Sequence, residues 1–336
     1  MLPEAAVLAH EKWFVESPGA FPTDWGFFLT PASLGLVAAA VVLAVAWRLV
    51  ALRCRRPELP ALGFVGRLAP WVPRILGVHL GVSLLALAVT NSYLAPHLTL
   101  DGVPGAGAVA LAEGALGVWL ISGWRLRPAG VAVTLLGPLT MGLAGPVAVL
   151  EAVDLLGIAL FLVMLPPGED RWGAREGSPE DLRLPLLALK CCAGLALVVL
   201  AFSEKLANPA LATELLGRYP ALNLFEMGGL DLGFEGFVRV AAAIELLFGL
   251  LVISAAAPQV AVLVAGVPFN ATLFFFGTTE LVGHLPLYGS MLALLVYGSH
   301  PGYAPVVPAL TPPRMRSARR ARVRRGESWT EGREPV

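Results

Sequence analysis

Long apolar blocks, interrupted by clusters of Arg, Pro and Gly, dominate the pattern of this chain. Nine such blocks can be traced, at roughly residues 28–49, 75–94, 107–122, 130–144, 147–165, 184–205, 237–254, 259–277 and 285–299. Most approach the ~20 residues that a helix needs to cross a bilayer. The fourth is short and carries Pro138, which predicts a kinked or partly re-entrant segment. Pro209 closes the sixth block, because proline lacks an N–H and disfavours helix at the residue before it. The pattern predicts an all-α polytopic membrane bundle of about nine transmembrane helices.

Composition supports that class. Of the 336 residues, 57% are hydrophobic and 14% charged, against about 25% charged in soluble domains. Mean hydropathy is +0.73. A soluble core has no room for so much apolar surface, so much of it is expected to face lipid. The first 28 residues lack a basic n-region and do not resemble a signal peptide. Only Lys12, Lys190 and Lys205 of the 24 basic residues are lysine, and the Arg, Ala, Gly and Pro bias suits a GC-rich bacterial genome. Three cysteines are too few for a disulfide framework, and the adjacent Cys191 and Cys192 read as packing thiols.

The charges fix an expected orientation. Arg48, Arg53, Arg55 and Arg56 close the first block, so its end is expected in the cytoplasm and the N-terminus outside. Nine crossings then put the C-terminus, with seven Arg between Arg314 and Arg325, in the cytoplasm. Arg125, Arg127, Arg171, Arg175 and Arg183 fall in inner loops, while Lys12, Lys205, Arg218 and Arg239 fall outside. The expected location is a bacterial plasma membrane. The Arg-rich tail reads as an anchor on anionic lipid, with no nucleic-acid partner invoked.

An internal repeat organises the blocks. Glu113 and Gly117 are echoed by Glu245 and Gly249, Pro138 by Pro268, and Glu151-Ala-Val153 by Glu280-Leu-Val282, at an offset near 130; Leu94-Ala95 aligns with Leu206-Ala207 at an offset near 112. Two parallel four-helix repeats follow, related by a pseudo-two-fold along the membrane normal. The resulting division is an outer segment and first helix at 1–56, a first repeat at 74–165, a cytoplasmic linker at 166–183, a second repeat at 184–300 and the tail at 301–336.

Candidate chemistry collects at the outer ends. Glu204 and Lys205 close the sixth block, Glu245 enters the seventh from outside, and Glu280 and His284 flank the last outer turn. Glu113, Glu151 and Asp154 lie in the same half; His79 and Lys190 are the inner exceptions. A carboxylate near hydrocarbon costs several kcal/mol unless paired or protonated, so a shared outward pocket is expected, with Lys205 as counter-charge to Glu245. An ion pair that only fixes helix packing remains equally open. The first repeat has Ser92-Tyr93 where the second has Glu204-Lys205, so the second is expected to carry the chemistry. His10, Glu11, Lys12 and Trp13 precede the first block; an interfacial anchor is the favoured reading and a lid over the pocket the alternative. The histidine spacing matches no metal signature, and no metal is expected.

Glu204-Lys205-Leu206-Ala207-Asn208-Pro209 at a helix end, the stretch Ile244-Glu245 to Gly249 and Ser254, and a polar outer turn with His284 resemble the DoxX-like membrane proteins. The likeness covers about 184–300 well and 74–165 faintly, as in a duplicated four-helix unit with an added N-terminal helix. It implies a redox-associated component, with a quinone as the cofactor class and a soluble or membrane redox partner. The expected pocket would take a quinol-like or sulfur-containing small molecule, with Lys205, Glu245, Glu204, Glu280 and His284 as proton-handling groups. An ion- or proton-coupled transporter and a non-catalytic scaffold for a partner enzyme are the alternatives.

Overall fold

A computed structural model of the chain describes residues 11–312, apart from 166–172, 175–176, 224–225, 227 and 231. His10, Arg171, Arg175 and the Arg314–Arg325 tail lie outside the described residues.

Among the described residues, the regular structure is helical apart from one two-stranded ribbon. In order, the helices are α1 (Trp25–Phe28), α2 (Pro31–Ala51), α3 (Val72–Val89), α4 (Ala106–Ser122), α5 (Leu126–Thr134), α6 (Leu136–Glu151), α7 (Val153–Met164), α8 (Pro179–Leu200), α9 (Pro209–Arg218), α10 (Gly233–Ser254) and α11 (Pro258–Ser299). The ribbon pairs β1 (Ser92–Tyr93) with β2 (Ala95–Thr99), antiparallel. Among the described residues, six helical stretches are long and apolar enough to cross a membrane: Pro31–Ala51, Pro60–Val89, Leu126–Glu151, Pro179–Leu206, Gly233–Ser254 and Pro258–Ser299. The shorter apolar helices α4 and α7 accompany them. Val42, Leu43, Leu49 and Val50 on α2 face outward, with no protein to cover them. The protein is a multi-pass integral membrane protein.

Local chemistry sets the helix ends. Thr30 caps α2 by accepting from the Ser33 N–H, with Pro31 in the first turn, where its missing N–H costs nothing. Ser178 and Asp181 form a reciprocal capping box, so α8 starts at Pro179, before the expected 184. Gly145 (φ 80°) interrupts α6 and Gly277 (φ 59°) interrupts the 42-residue α11. Both adopt backbone that a side chain disfavours. The block expected to be helical to residue 94 ends at Val89. Asn91 and Leu94 turn left-handed (φ 57° each), and the chain enters the ribbon.

Glycines set the closest approaches. A Cβ on Gly117 of α4 would stand 2.7 Å from the Gly81 carbonyl oxygen of α3. A Cβ on Gly249 of α10 would stand 2.7 Å from the Gly194 carbonyl oxygen of α8. In each crossing an isoleucine of the partner helix packs over the other glycine, Ile121 over Gly81 and Ile253 over Gly194. Small residues let membrane helices approach closely enough for packing to hold them. A second pair of contacts seats α7 on α8, Gly157 against Cys192, and the end of α11 on α3, Gly289 against His79. One core, from Leu76 and Leu80 through Phe161 and Leu189 to Leu294 and Tyr297, runs between these helices.

Candidate functional site

The site begins where α8 loses its regular pitch. Residues Ala201–Leu206 form a π turn, in which the Ala207 N–H donates to the Phe202 carbonyl at 2.8 Å. The wider turn lets the consecutive Glu204 and Lys205 both be buried, at 1% and 3% exposure. Single π turns in α-helices are frequent at functional sites. Asn208 then caps α9 by accepting from the Leu211 N–H, and Pro209 opens that helix. The helix therefore stops before Pro209, and a new one starts there.

Lys205 is clamped between two carboxylates. Its Nζ lies 2.9 Å from Glu245 Oε2 on α10. It also lies 3.0 Å from Oε1 and 3.1 Å from Oε2 of Glu11. Glu11 comes from a short 3-10 turn, Glu11–Trp13, ahead of all the apolar helices. The Glu11 N–H donates to Glu204 Oε2 at 2.9 Å. Next to it, Lys12 Nζ and Ser203 Oγ both donate to Glu151 Oε1 at the end of α6. Burial holds the Glu11 carboxyl well above the usual carboxylate range, against the pull of Lys205.

Trp13 and His284 make the next layer. Their ring centres are 5.0 Å apart. The Trp13 ring rests on Gly283, where a methyl group would overlap it. His284 Nδ1 lies 3.1 Å from the Glu280 carbonyl oxygen and 3.4 Å from Glu280 Oε1. Glu280 itself is fully buried. Behind Trp13, Phe14 stacks on Phe276 at 4.0 Å, and Val15 is buried among Leu211, Leu215 and Phe237.

Of these groups, Trp13, Glu151, Glu204, Gly283 and His284 line a cavity of about 60 Å³. Its polar lining comes from Trp13, His97, Glu151, Asp154, Glu204 and His284, and its apolar wall includes Leu94, Ala152 and Leu155. Of the residues expected in the site, Glu204 and His284 face the cavity, while Lys205, Glu245 and Glu280 lie beyond its lining. Contributions come from both halves of the chain. Thus the first half, expected to be mainly scaffold, supplies His97, Glu151 and Asp154. Glu113, the counterpart of Glu245, accepts from the Leu94 N–H at 2.9 Å and so anchors the ribbon that carries His97.

A larger apolar groove, about 420 Å³, opens beside this cavity between α5, α6 and α7. Leu94, Ala152 and Leu155 line both spaces. Val133, Leu136, Thr140 and Met141 also line the groove, and Tyr93 Oη donates to the Leu136 carbonyl. A third space, about 440 Å³, lies between the two parts of α11 against Asn270 and Tyr288 and shares no lining residue with the acid cavity.

The opposite end of the bundle is cationic. Arg48 donates to the carbonyls of Ser254 and Pro308, Lys190 to that of Val307 at 2.8 Å, and Arg56 to that of Ala256. Ser254 is the last residue of α10 and Ala256 lies just past it, so two of these carbonyls are left over where that helix ends; Val307 and Pro308 belong to the turns that follow α11. The three thiols, Cys54, Cys191 and Cys192, are free. Among the described residues, no group of three or more His, Cys, Asp and Glu is disposed to hold a metal ion.

The acids around Lys205 are legible as a cluster, whereas for Glu11, Lys12 and Trp13 the sequence favours an interfacial anchor over a lid on the pocket. Glu11 is 4% exposed and is bonded to Lys205, 194 positions later. The one available signal was an acid and a base set within an aromatic stretch just before the first membrane helix. Comparison of the chain with protein-family models, with curated proteins and with solved structures finds no match.

Proposed function

We propose that the protein is a redox-associated membrane component, similar to the DoxX-like proteins, that binds a quinol-like molecule near the extracytoplasmic surface and exchanges protons with it. The observation that carries this reading is the wall shared by the two spaces. Leu94, Ala152 and Leu155 separate an acid- and histidine-lined cavity from an apolar groove seven times its volume, at about 420 against about 60 Å³. A quinol has the same two parts, a polar ring that gains or loses protons and an apolar tail. The tail would lie in the groove between α5, α6 and α7, and the ring beside His97, Glu151, Asp154 and His284.

In this reading Asp154, Glu151 and the two histidines are the acid–base groups, since they face the space the ring would enter. Lys205 and Glu245 act one layer behind, holding Glu204 and the Glu11 turn in place. Sidedness follows from the basic residues, with the Arg48, Arg56 and Lys190 end in the cytoplasm. The count of nine crossings is supported by the breaks at Gly145 and Gly277. Two parallel repeats are supported by the matched crossings Gly81–Gly117 and Gly194–Gly249, and Gly157–Cys192 and Gly289–His79.

The test is chemical. Protein purified in mild detergent is extracted with organic solvent, and the extract is analysed by mass spectrometry and absorbance for quinones. Near-stoichiometric quinone in the wild type, and much less in Ala152→Phe, supports the reading. Quinone at the level of bulk lipid in both proteins contradicts it.

A further inference from the structure

The sequence offset of 130 relates the two large grooves. It carries Val133, Leu136, Gly137 and Thr140, which line the space between α5, α6 and α7, onto Leu263, Gly266, Val267 and Asn270, which line the space between the two parts of α11. The volumes agree, at about 420 and about 440 Å³. The polar residues do not match in surroundings. Thr140 is 1% exposed, and its hydroxyl donates to the Leu136 carbonyl at 2.9 Å, with Tyr93 Oη of the ribbon 3.4 Å away. Asn270 is exposed, and among the described residues there is no second ribbon to lie against it.

Asn270 sits roughly 10 Å of helix before the break at Gly277 and roughly 18 Å after Pro258, which places its amide within the apolar layer. One of its N–H groups donates to the Gly266 carbonyl at 2.7 Å. The other N–H and the oxygen have no partner among the described residues. Lipid tails offer neither donor nor acceptor, so an amide left this way is costly. Leu263, Val267 and Phe274 share its stripe and are 47, 71 and 79% exposed. The four positions follow one another at intervals of four, three and four residues and fall within an arc of roughly 60° on the helix. That is the spacing of a seam between two helices, in which a single Asn fixes register and partner number. By contrast, the membrane helix α2 exposes apolar residues only, and lipid satisfies it.

We propose that this stripe is a dimer interface, along which α11 of a second copy of the chain packs on Leu263, Val267, Asn270 and Phe274. Two copies inserted the same way are related by a two-fold axis along the membrane normal, so the helices run parallel and each residue of the seam meets its own counterpart. The amides then satisfy each other, because each Asn270 has one N–H to give and one oxygen to receive. This self-complementarity is what selects a second copy as the occupant. Leu263, Val267 and Asn270 also line the groove, so the second copy covers that side of it. The groove shares no lining residue with the acid cavity, and the interface does not rest on the quinol reading.

The experiment uses full-length protein with Cys54, Cys191 and Cys192 replaced by Ala. In native membranes under mild oxidation, Val267→Cys and Phe274→Cys are each expected to give a disulfide-linked dimer, while Leu43→Cys on the outward face of α2 stays monomeric. In phospholipid vesicles, protein labelled at Asp101→Cys with donor or acceptor dye is diluted with lipid, and association is followed by energy transfer. Adding Asn270→Leu should weaken association about three- to twentyfold, the range for one hydrogen-bonding side chain between membrane helices. Asn270→Gln, which keeps the amide, should weaken it less. Cross-linking of Leu43→Cys as fast as at the two seam positions would overturn the interface. So would energy transfer at the level of random encounter at every dilution, or full-strength association in Asn270→Leu. A native mass spectrum of the unsubstituted protein showing only monomer, with a phospholipid or a quinone retained, would assign the groove to that molecule and overturn the proposal as well.

Discussion

Lys205 holds Glu11 at 3.0 Å although 194 positions separate them in the chain. The same ammonium holds Glu245 at 2.9 Å. One buried cation thus joins a segment outside the bundle to two membrane helices, and its loss should be felt in both. Removing one partner of a buried pair costs about 3–5 kcal/mol, because the remaining charges are left uncompensated. Lys205→Met should therefore lower the unfolding midpoint in detergent strongly, and the double variant Lys205→Met/Glu245→Gln should recover part of the loss. Equal midpoints for Lys205→Met and wild type would show that the cluster does not hold the fold together.

The glycine crossings make a paired prediction. Gly117→Ala and Gly249→Ala each push a methyl group to 2.7 Å from a backbone oxygen of the neighbouring helix. Each should destabilise by about 1–3 kcal/mol, the usual cost of overpacking. Gly142→Ala, with open space around it, should be neutral or slightly stabilising. Thermal unfolding of the three variants side by side checks this.

The stability of the seated segment should depend on pH in a definite direction. Burial holds Glu11 above its usual range, so the folded form binds its proton more tightly than the unfolded chain does. The resulting stabilisation is fully present below the ordinary carboxylate pKa and is lost as pH rises through the raised value. Protection of the Phe14 and Val15 amides from hydrogen exchange, corrected for the intrinsic pH dependence, should fall over that window in the wild type. In Glu11→Gln it should stay constant.

Most of the helical framework could be read from the sequence, because lipid demands long apolar runs and self-satisfied backbone. The kink expected at Pro138 is not where the backbone turns: it turns at Gly145, in the gap between the fourth and fifth blocks, and again at Gly277, where the eighth block ends. Glu204, Lys205 and Glu245 could be grouped because each lies at the same end of its block. Glu11 is placed near them only by the alternative of a lid over the pocket, and its bond to Lys205 appears only in the folded bundle. The ribbon at Ser92–Thr99 hides for a similar reason: its residues continue an apolar block, and the left-handed Asn91 and Leu94 turn it aside. Consequently the place of His97 in the cavity and the shared wall at Leu94 emerge only in three dimensions.

The wall between the two spaces is the feature on which the quinol reading depends most. Ala152→Phe fills it from the kink between α6 and α7, while Leu155→Ala merges the cavity with the groove. The most direct measurement is a titration of each protein in nanodiscs with a short-chain quinone, followed by quenching of Trp13 in a variant whose other tryptophans are replaced by Phe. Saturable quenching in the wild type, weakened at least about tenfold (about 1.4 kcal/mol) by Ala152→Phe and retained in Leu155→Ala, is the expected result. Quenching that is linear in quinone, and the same in all three proteins, would contradict the account.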